Sequence, residues 1–304
     1  MTSFRPVSRL AVALLMFTAL PALAFADDTV RDYTDTVKEV FNVDRGGTLY
    51  VDMDHGNMEV DVVRGSEVRI EVERRVEGRY SRSEAEEVLR HHELDLDQRG
   101  DDVVIESRLD NDEGFWGRRR ERNKLRIRVR VSVPDRYNVQ FTTGAGNVDI
   151  IEVNGDIEGR TGAGNITVAD TVGELEINTG AGNISVRDID GEADVRTGAG
   201  NISLNGSLGQ VEASSGAGNV DAHLSGRLGG DSSFTSGAGN VTVYIDRNVG
   251  AYVDAVASMG SASTDFDLRV EGKWMKKSFE GEVNGGGPEI YMRAGVGNVT
   301  LRSR

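Results

Sequence analysis

Six copies of Gly-Ala-Gly-Asn, beginning at Gly144, Gly162, Gly180, Gly198, Gly216 and Gly237, constrain this chain more than any other feature. The first five start 18 residues apart and the sixth follows after 21. A relative, Gly295-Val296-Gly297-Asn298, closes the chain. A fixed period of this length is the mark of a solenoid, in which each repeat stacks on the next because none can bury its apolar face alone. Within a repeat, apolar residues alternate with polar ones: Ile166 and Val168, then Leu175 and Ile177; Ile184 and Val186, then Ala193 and Val195; Ile202 and Leu204, then Val211 and Ala213. That is the pattern of a strand with one buried face. Each coil should therefore hold two short strands, and half-turns of equal length predict a flattened, two-sided roll. The insertion from Leu224 to Gly230 lengthens one turn and still leaves Phe234 on an inward position.

The repeated tetrapeptide has a mechanical reading. Glycines accept φ > 0 at a corner, and Asn tolerates the left-handed region while bonding local backbone. Stacking would align Asn147, Asn165, Asn183, Asn201, Asn219 and Asn240 in a structural ladder. A hydroxyl row of Thr143, Thr161, Thr179, Thr197, Ser215 and Ser236 would run beside it.

Composition excludes several alternatives. The 304 residues include 38 Gly but only 4 Pro and no Cys, which removes collagen, a disulfide framework, thiolate metal sites and a cysteine nucleophile. Fifty acidic groups face 35 basic ones, a net charge of −15, which argues against nucleic acid as a partner.

Residues 1–26 read as a signal peptide. Arg5 and Arg9 lead an apolar run from Leu10 to Leu20, and Ala24-Phe25-Ala26 is an A-x-A cleavage site. No later stretch is apolar enough for a transmembrane segment, so the mature chain is expected to be exported, soluble, and periplasmic or extracellular.

Residues 27–138 are expected to form a β-rich cap or degenerate solenoid half, and residues 139–304 the regular solenoid with closing strands. In the first part, Gly47–Met53, Met58–Val63, Val68–Val76, Asp102–Leu109 and Lys124–Val133 read as strands. His55-Gly56-Asn57 echoes the later corner. One helix is expected over 83–92, with Ser83 and Glu86 as its capping box and Ala85, Val88 and Leu89 as its apolar stripe. In the second part, Ala251–Ala257 and Leu268–Val270 should continue the strands, and Lys273-Trp274-Met275-Lys276-Lys277 a basic turn.

Arg126, Arg128 and Arg130 share one strand face. They form either a polyanion-binding stripe or, with Glu71 and Glu73 on a nearby strand, a charge ladder; the ladder is favoured. The loop containing Phe115, Trp116, Arg118, Arg119 and Arg120 combines aromatics with arginines and is the candidate partner-binding loop, with a solvated hairpin tip as the alternative.

Catalytic and metal motifs are missing. His55, His91, His92 and His223 have no metal-ligand spacing, with His91 and His92 on different sides of a helix. The Gly-x-Gly pairs lead into strands, so no helix N-terminus awaits a phosphate. A calcium-binding β-roll would need carboxylates at the corners, where this chain carries Asn. No cofactor is expected.

The Thr-Gly-Ala-Gly-Asn-Ile-x-Val coils, Asn57-Met58-Glu59-Val60, and the ending Asn284-Gly285-Gly286-Gly287-Pro288-Glu289-Ile290 through Gly297-Asn298-Val299-Thr300-Leu301 resemble a bacterial family of candidate-adhesin domains of unknown function. It lies within the toastrack-like group of exported β-solenoids. The resemblance runs from about Phe41 to Leu301. It implies an all-β, single-stranded, right-handed parallel β-helix with one inserted helix, in the bacterial cell envelope, and it supplies no catalytic site. The expected function is a non-enzymatic binding or scaffold module for an envelope or extracellular protein or glycan. An envelope-stress sensing or regulatory role is the alternative, and a calcium-binding roll is the third reading.

Overall fold

The computed structural model describes residues 29–109, 125–272 and 276–304. Among the described residues the fold is all-β with one helix, and the strands form two hydrogen-bonded stacks that face each other across one apolar core.

The repeated coils explain the middle of both stacks. On the first face, β8 (Asn138–Ala145), β10 (Ile157–Ala163), β12 (Leu175–Ala181) and the later halves of β13 (Ile184–Ala199) and β14 (Ile202–Ala217) pair in parallel, followed by β16 (Ser232–Ala238). On the second face, β9 (Val148–Ile151), β11 (Ile166–Val172), the earlier halves of β13 and β14, β15 (Val220–Leu224) and β17 (Val241–Ile245) do the same. Register follows the repeat: Ile157 faces Leu175 and Leu175 faces Ala193. Identical positions therefore lie in rows. Ile166, Val168, Ile177, Ile184, Val186, Val195, Ile202 and Leu204 are all buried, and so is Phe234.

The ends depart from sequence order. β21 (Glu289–Val296) and β22 (Val299–Ser303), the last strands of the chain, lie inside the stack. β21 pairs with β16 on one side and β18 (Ala251–Met259) on the other, while β22 sits between β17 and β19 (Ala262–Thr264). The other end repeats the device. β2 (Thr48–Met53) lies between β6 (Asp102–Leu109) and β8, and β3 (Asn57–Val63) between β7 (Leu125–Pro134) and β9. At each end a coil remote in sequence is interleaved into the stack.

Antiparallel strands finish the ends. β4 (Glu67–Ser81) pairs with β7 and β1 (Thr29–Asn42) with β4; β5 (His92–Arg99) pairs with β6; β20 (Lys277–Val283) pairs with β18. Tyr33, Val37, Phe41, Leu94, Leu96, Phe266 and Leu268 pack partly buried against the core.

Several local expectations are corrected. The helix α1 spans Arg82–Arg90, and its cap is Ser81: the Ser81 hydroxyl accepts from the Glu84 N–H while the Glu84 carboxylate accepts from the Ser81 N–H. Ser83 and Glu86 are not the box; Glu86 instead pairs with Arg82 at 2.9 Å. Ala85, Val88 and Leu89 form the buried face as expected from their spacing. His91 is the helix C-cap and His92 opens β5, so they do not share a helix. Leu268–Val270 is not a strand, because the chain there turns through Asp265–Asp267 and lays Phe266 and Leu268 on the end of the core.

Candidate functional site

The corner residues are positioned by backbone crowding. From Gly162 on, the first glycine of each motif lies directly over that of the coil before it, and a Cβ on Gly180 would meet the Gly162 carbonyl oxygen at 2.6 Å. The second glycine carries the positive φ, +152° at Gly182, so it is glycine and not Asn that takes the left-handed corner. The Asn side chains do something else. Each Oδ1 accepts from the backbone N–H of the Asn one coil on: Asn147 from Asn165 at 3.0 Å, Asn165 from Asn183 at 2.9 Å, Asn183 from Asn201 at 2.8 Å, Asn201 from Asn219 at 2.8 Å, and Asn219 from Asn240 at 2.9 Å. The series continues into both interleaved ends, where Asn57 accepts from Asn147 and Asn240 from Asn298, and Asn298 accepts from Ser261. The bonds run between coils and not within the local corner.

The hydroxyl row is buried beside them, but its hydroxyls do not bond one another. Thr197 donates to the Gly182 carbonyl at 2.9 Å, Ser215 to Gly200 at 2.8 Å and Ser236 to Gly218 at 2.7 Å. The corner carbonyls of one coil are thus satisfied by the next.

Outward positions carry the charge. Glu158, Glu176, Asp194 and Glu212 occupy successive strands in one row of the first face. Arg160 reaches Glu158 at 3.2 Å and Glu176 at 3.4 Å; Arg196 reaches Asp194 at 2.9 Å and Glu212 at 3.0 Å. Burial pushes the Asp194 carboxyl above the usual range, Arg196 opposes this, and Glu212 and Glu176 add to it. On the second face His223 and Tyr244, paired in register, stack with ring centroids 4.2 Å apart.

The arginine row lies on β7 beside β4. Glu71 stands opposite Arg130, Glu73 opposite Arg128, and Arg75 opposite Arg126. Arg130 is held by Glu59 at 3.1 Å and Glu71 at 3.5 Å, so the charge ladder forms at that end, with Glu59 of β3 as a partner not foreseen. Pairing is uneven along the row. Arg128 reaches Glu59 at 3.6 Å, Arg126 reaches Glu77 at 3.1 Å, and Arg75 reaches Asp32 at 3.7 Å. There β4 and β7 run on past the start of β3 and leave a notch against the corner His55-Gly56-Asn57. The notch has a volume of about 570 Å³ and is lined by Arg75, Arg126, Arg128, Glu73, Glu77 and that corner, among others.

One pair has catalytic spacing without access. His92 Nε2 lies 2.8 Å from Ser107 Oγ, but the two residues are 4% and 1% exposed. Burial lowers the His92 pKa to about 4, with Arg74 and His55 adding to the effect and Asp54 opposing it. A nucleophile and base must both reach a substrate; this pair instead ties β5 to β6. Among the described residues no group of three or more His, Asp or Glu is placed to hold a metal, and no helix is long and apolar enough to cross a membrane.

The expected partner-binding residues Phe115, Trp116, Arg118, Arg119 and Arg120 lie outside the described residues, as do the signal segment and Lys273-Trp274-Met275. The notch escaped sequence reading because it depends on Arg75 facing Arg126, a register that strand pairing alone fixes.

No curated protein matches the chain. Among solved structures it is similar to a candidate adhesin from Bacteroides fragilis, at 13% identity and a TM-score of 0.50, covering 89% of this chain and 97% of that one. It is also similar to a candidate cell adhesion protein from Clostridium sporogenes, at 14% identity and a TM-score of 0.30, covering 89% and 100%. A third, a candidate lipid-binding protein from Parabacteroides distasonis, is 10% identical with a TM-score of 0.28, covering 90% and 97%. The model of the family described as Toastrack DUF4097 matches residues 51–302, and the chain belongs to that family.

Proposed function

We propose that the protein is an exported, non-enzymatic binding or scaffold module of the bacterial cell envelope that works through its surface. In this reading the mature chain begins near Asp27, residues 27–138 form a cap, and residues 139–304 form a right-handed parallel solenoid of 18-residue coils. The observation that carries it is the continuity of the core: apolar side chains fill the space between the two strand stacks from Leu49 to Leu301. Such an interior leaves outward rows of side chains as the means of engaging anything else. The names of the similar structures, adhesin and lipid-binding protein, fit a binding role.

The experiment is chemical cross-linking in envelope extract with the mature protein, followed by identification of what is captured, set beside a variant with Phe115, Trp116 and Arg118 to Arg120 changed to Ser. Capture of a defined envelope or extracellular component supports the module, and its loss in the variant assigns the loop. Capture of a signalling membrane protein would move the reading to envelope-stress sensing. Capture of nothing, or hydrolysis of an envelope polymer by the pure protein, would overturn the proposal.

A further inference from the structure

We propose that the notch between β4, β7 and the His55-Gly56-Asn57 corner binds a singly charged acidic sugar, of the uronic acid type, within a longer glycan. The inference rests on the binding-module reading above and gives it a ligand class.

The charges select the chemistry. Arg75 and Arg126 face each other across an antiparallel pair, an arrangement that like charges disfavour unless something negative lies between or beside them. Their protein partners do so only in part. Arg126 is held by Glu77 at 3.1 Å, but Arg75 is 3.7 Å from Asp32 and the neighbouring Arg128 is 3.6 Å from Glu59, beyond good hydrogen-bond distance, whereas Arg130 a few residues on is closely held. A guanidinium has more donors than one long ion pair uses, and its planar fork matches a carboxylate bidentately. In a chain of net charge −15, this is a place where three arginines line one concavity.

Glu73 and Glu77 line the same notch. They repel a multiply charged group such as a phosphate monoester or polyphosphate, but they accept hydrogen bonds from hydroxyls. Arginine donors for one carboxylate, with carboxylate acceptors for neighbouring hydroxyls, are the complement of an acidic sugar. The volume of about 570 Å³ suits one or two sugar rings. Gly56, Gly146 and Ala145 keep the wall low. The Arg75 and Arg126 side chains are 46% and 63% exposed, so they are available to a ligand and can be changed without opening the core.

The test is isothermal titration of the mature protein at low salt with trigalacturonate, its trimethyl ester and inorganic phosphate. Trigalacturonate should bind, and salt should weaken it. The ester should bind at least about tenfold more weakly, as loss of a charge-assisted pair implies. Arg75→Gln and Arg126→Gln should each cause a similar loss with unchanged melting temperature. Equal binding of acid and ester, equal binding by the variants, phosphate binding as tight as the trisaccharide, or no trisaccharide binding would each overturn the proposal. If trigalacturonate fails while cross-linking still captures an envelope component, the ligand class falls and the binding-module reading stands. If both fail, both fall.

Discussion

At the scale of single residues, the sequence was legible wherever one residue type answers one steric demand. The glycines of the repeat were readable because a corner needs them, and the structure adds the reason that both are needed: each sits under a backbone carbonyl of the adjacent coil. Asn was harder, since its ordinary turn role is local whereas here it spans coils. Asn183→Ala would leave the Asn201 N–H without its acceptor in the adjacent coil, and should lower stability by about 0.5 to 1.5 kcal/mol in urea unfolding. No change would mean that water serves the N–H equally well. A pair of glycines separates conformation from crowding. Gly65 has φ +135° with open space around a Cβ, while a Cβ on Gly182 would overlap the Gly164 carbonyl oxygen. Gly65→Ala should cost about 1 to 3 kcal/mol for the backbone alone. Gly182→Ala should cost roughly 1 to 3 kcal/mol more. Equal losses at the two sites would contradict close coil stacking.

Elements were legible in proportion to their alternation. Leu125–Val133 announces itself because every second residue is apolar, and all of those in β7 are buried; Val68–Val76 follows the same alternation except at Arg74. β1 reads Thr-Val-Arg-Asp-Tyr-Thr-Asp-Thr-Val-Lys-Glu-Val-Phe-Asn and carries no such signal, since it covers the sheet edge with only part of one face apolar. β5 is a weak signal for a similar reason: His92 falls within the expected helix, and only Leu94 and Leu96 alternate with the acidic residues after it. The contact that pins β5 to β6 makes a pH prediction. His92 has its pKa lowered to about 4 in the folded state, against 6.5 for the free side chain, so the unfolded chain takes up a proton first. Stability should therefore be intact above pH 6.5 and fall as pH drops toward 4, by up to about 3 kcal/mol from this residue. Chemical unfolding of wild type and His92→Gln across that range checks it. The variant should lose that part of the slope, and identical slopes would show that His92 is not the titrating group.

On the scale of the molecule, the period gave the stack, but not the order of its ends. Gly295-Val296-Gly297-Asn298 looks like one more coil, and nothing in its residues says that it lies beneath a coil formed earlier in the chain. That order follows from which strands bury each other. β18 carries its own antiparallel partner β20, which completes its outer edge and leaves its inner edge to β21. A solenoid needs closed ends, because an unpaired edge strand invites another chain. Interleaving makes both ends depend on contacts distant in sequence. Coil order therefore underlies everything else: the unbroken core, the corner ladder, and the notch formed where β2 and β3 are inserted between later strands. The chain has no cysteine, so introduced pairs can report it without background. Thr242 faces Thr300 across β17 and β22, and Thr300 faces Ser263 across β22 and β19, which leaves Thr242 and Ser263 two strand spacings apart, about 10 Å. The most direct measurement is disulfide formation under mild oxidation in two double variants. Thr242→Cys with Thr300→Cys should cross-link readily, and Thr242→Cys with Ser263→Cys should not. The reverse pattern would place the coils in sequence order and contradict the architecture described.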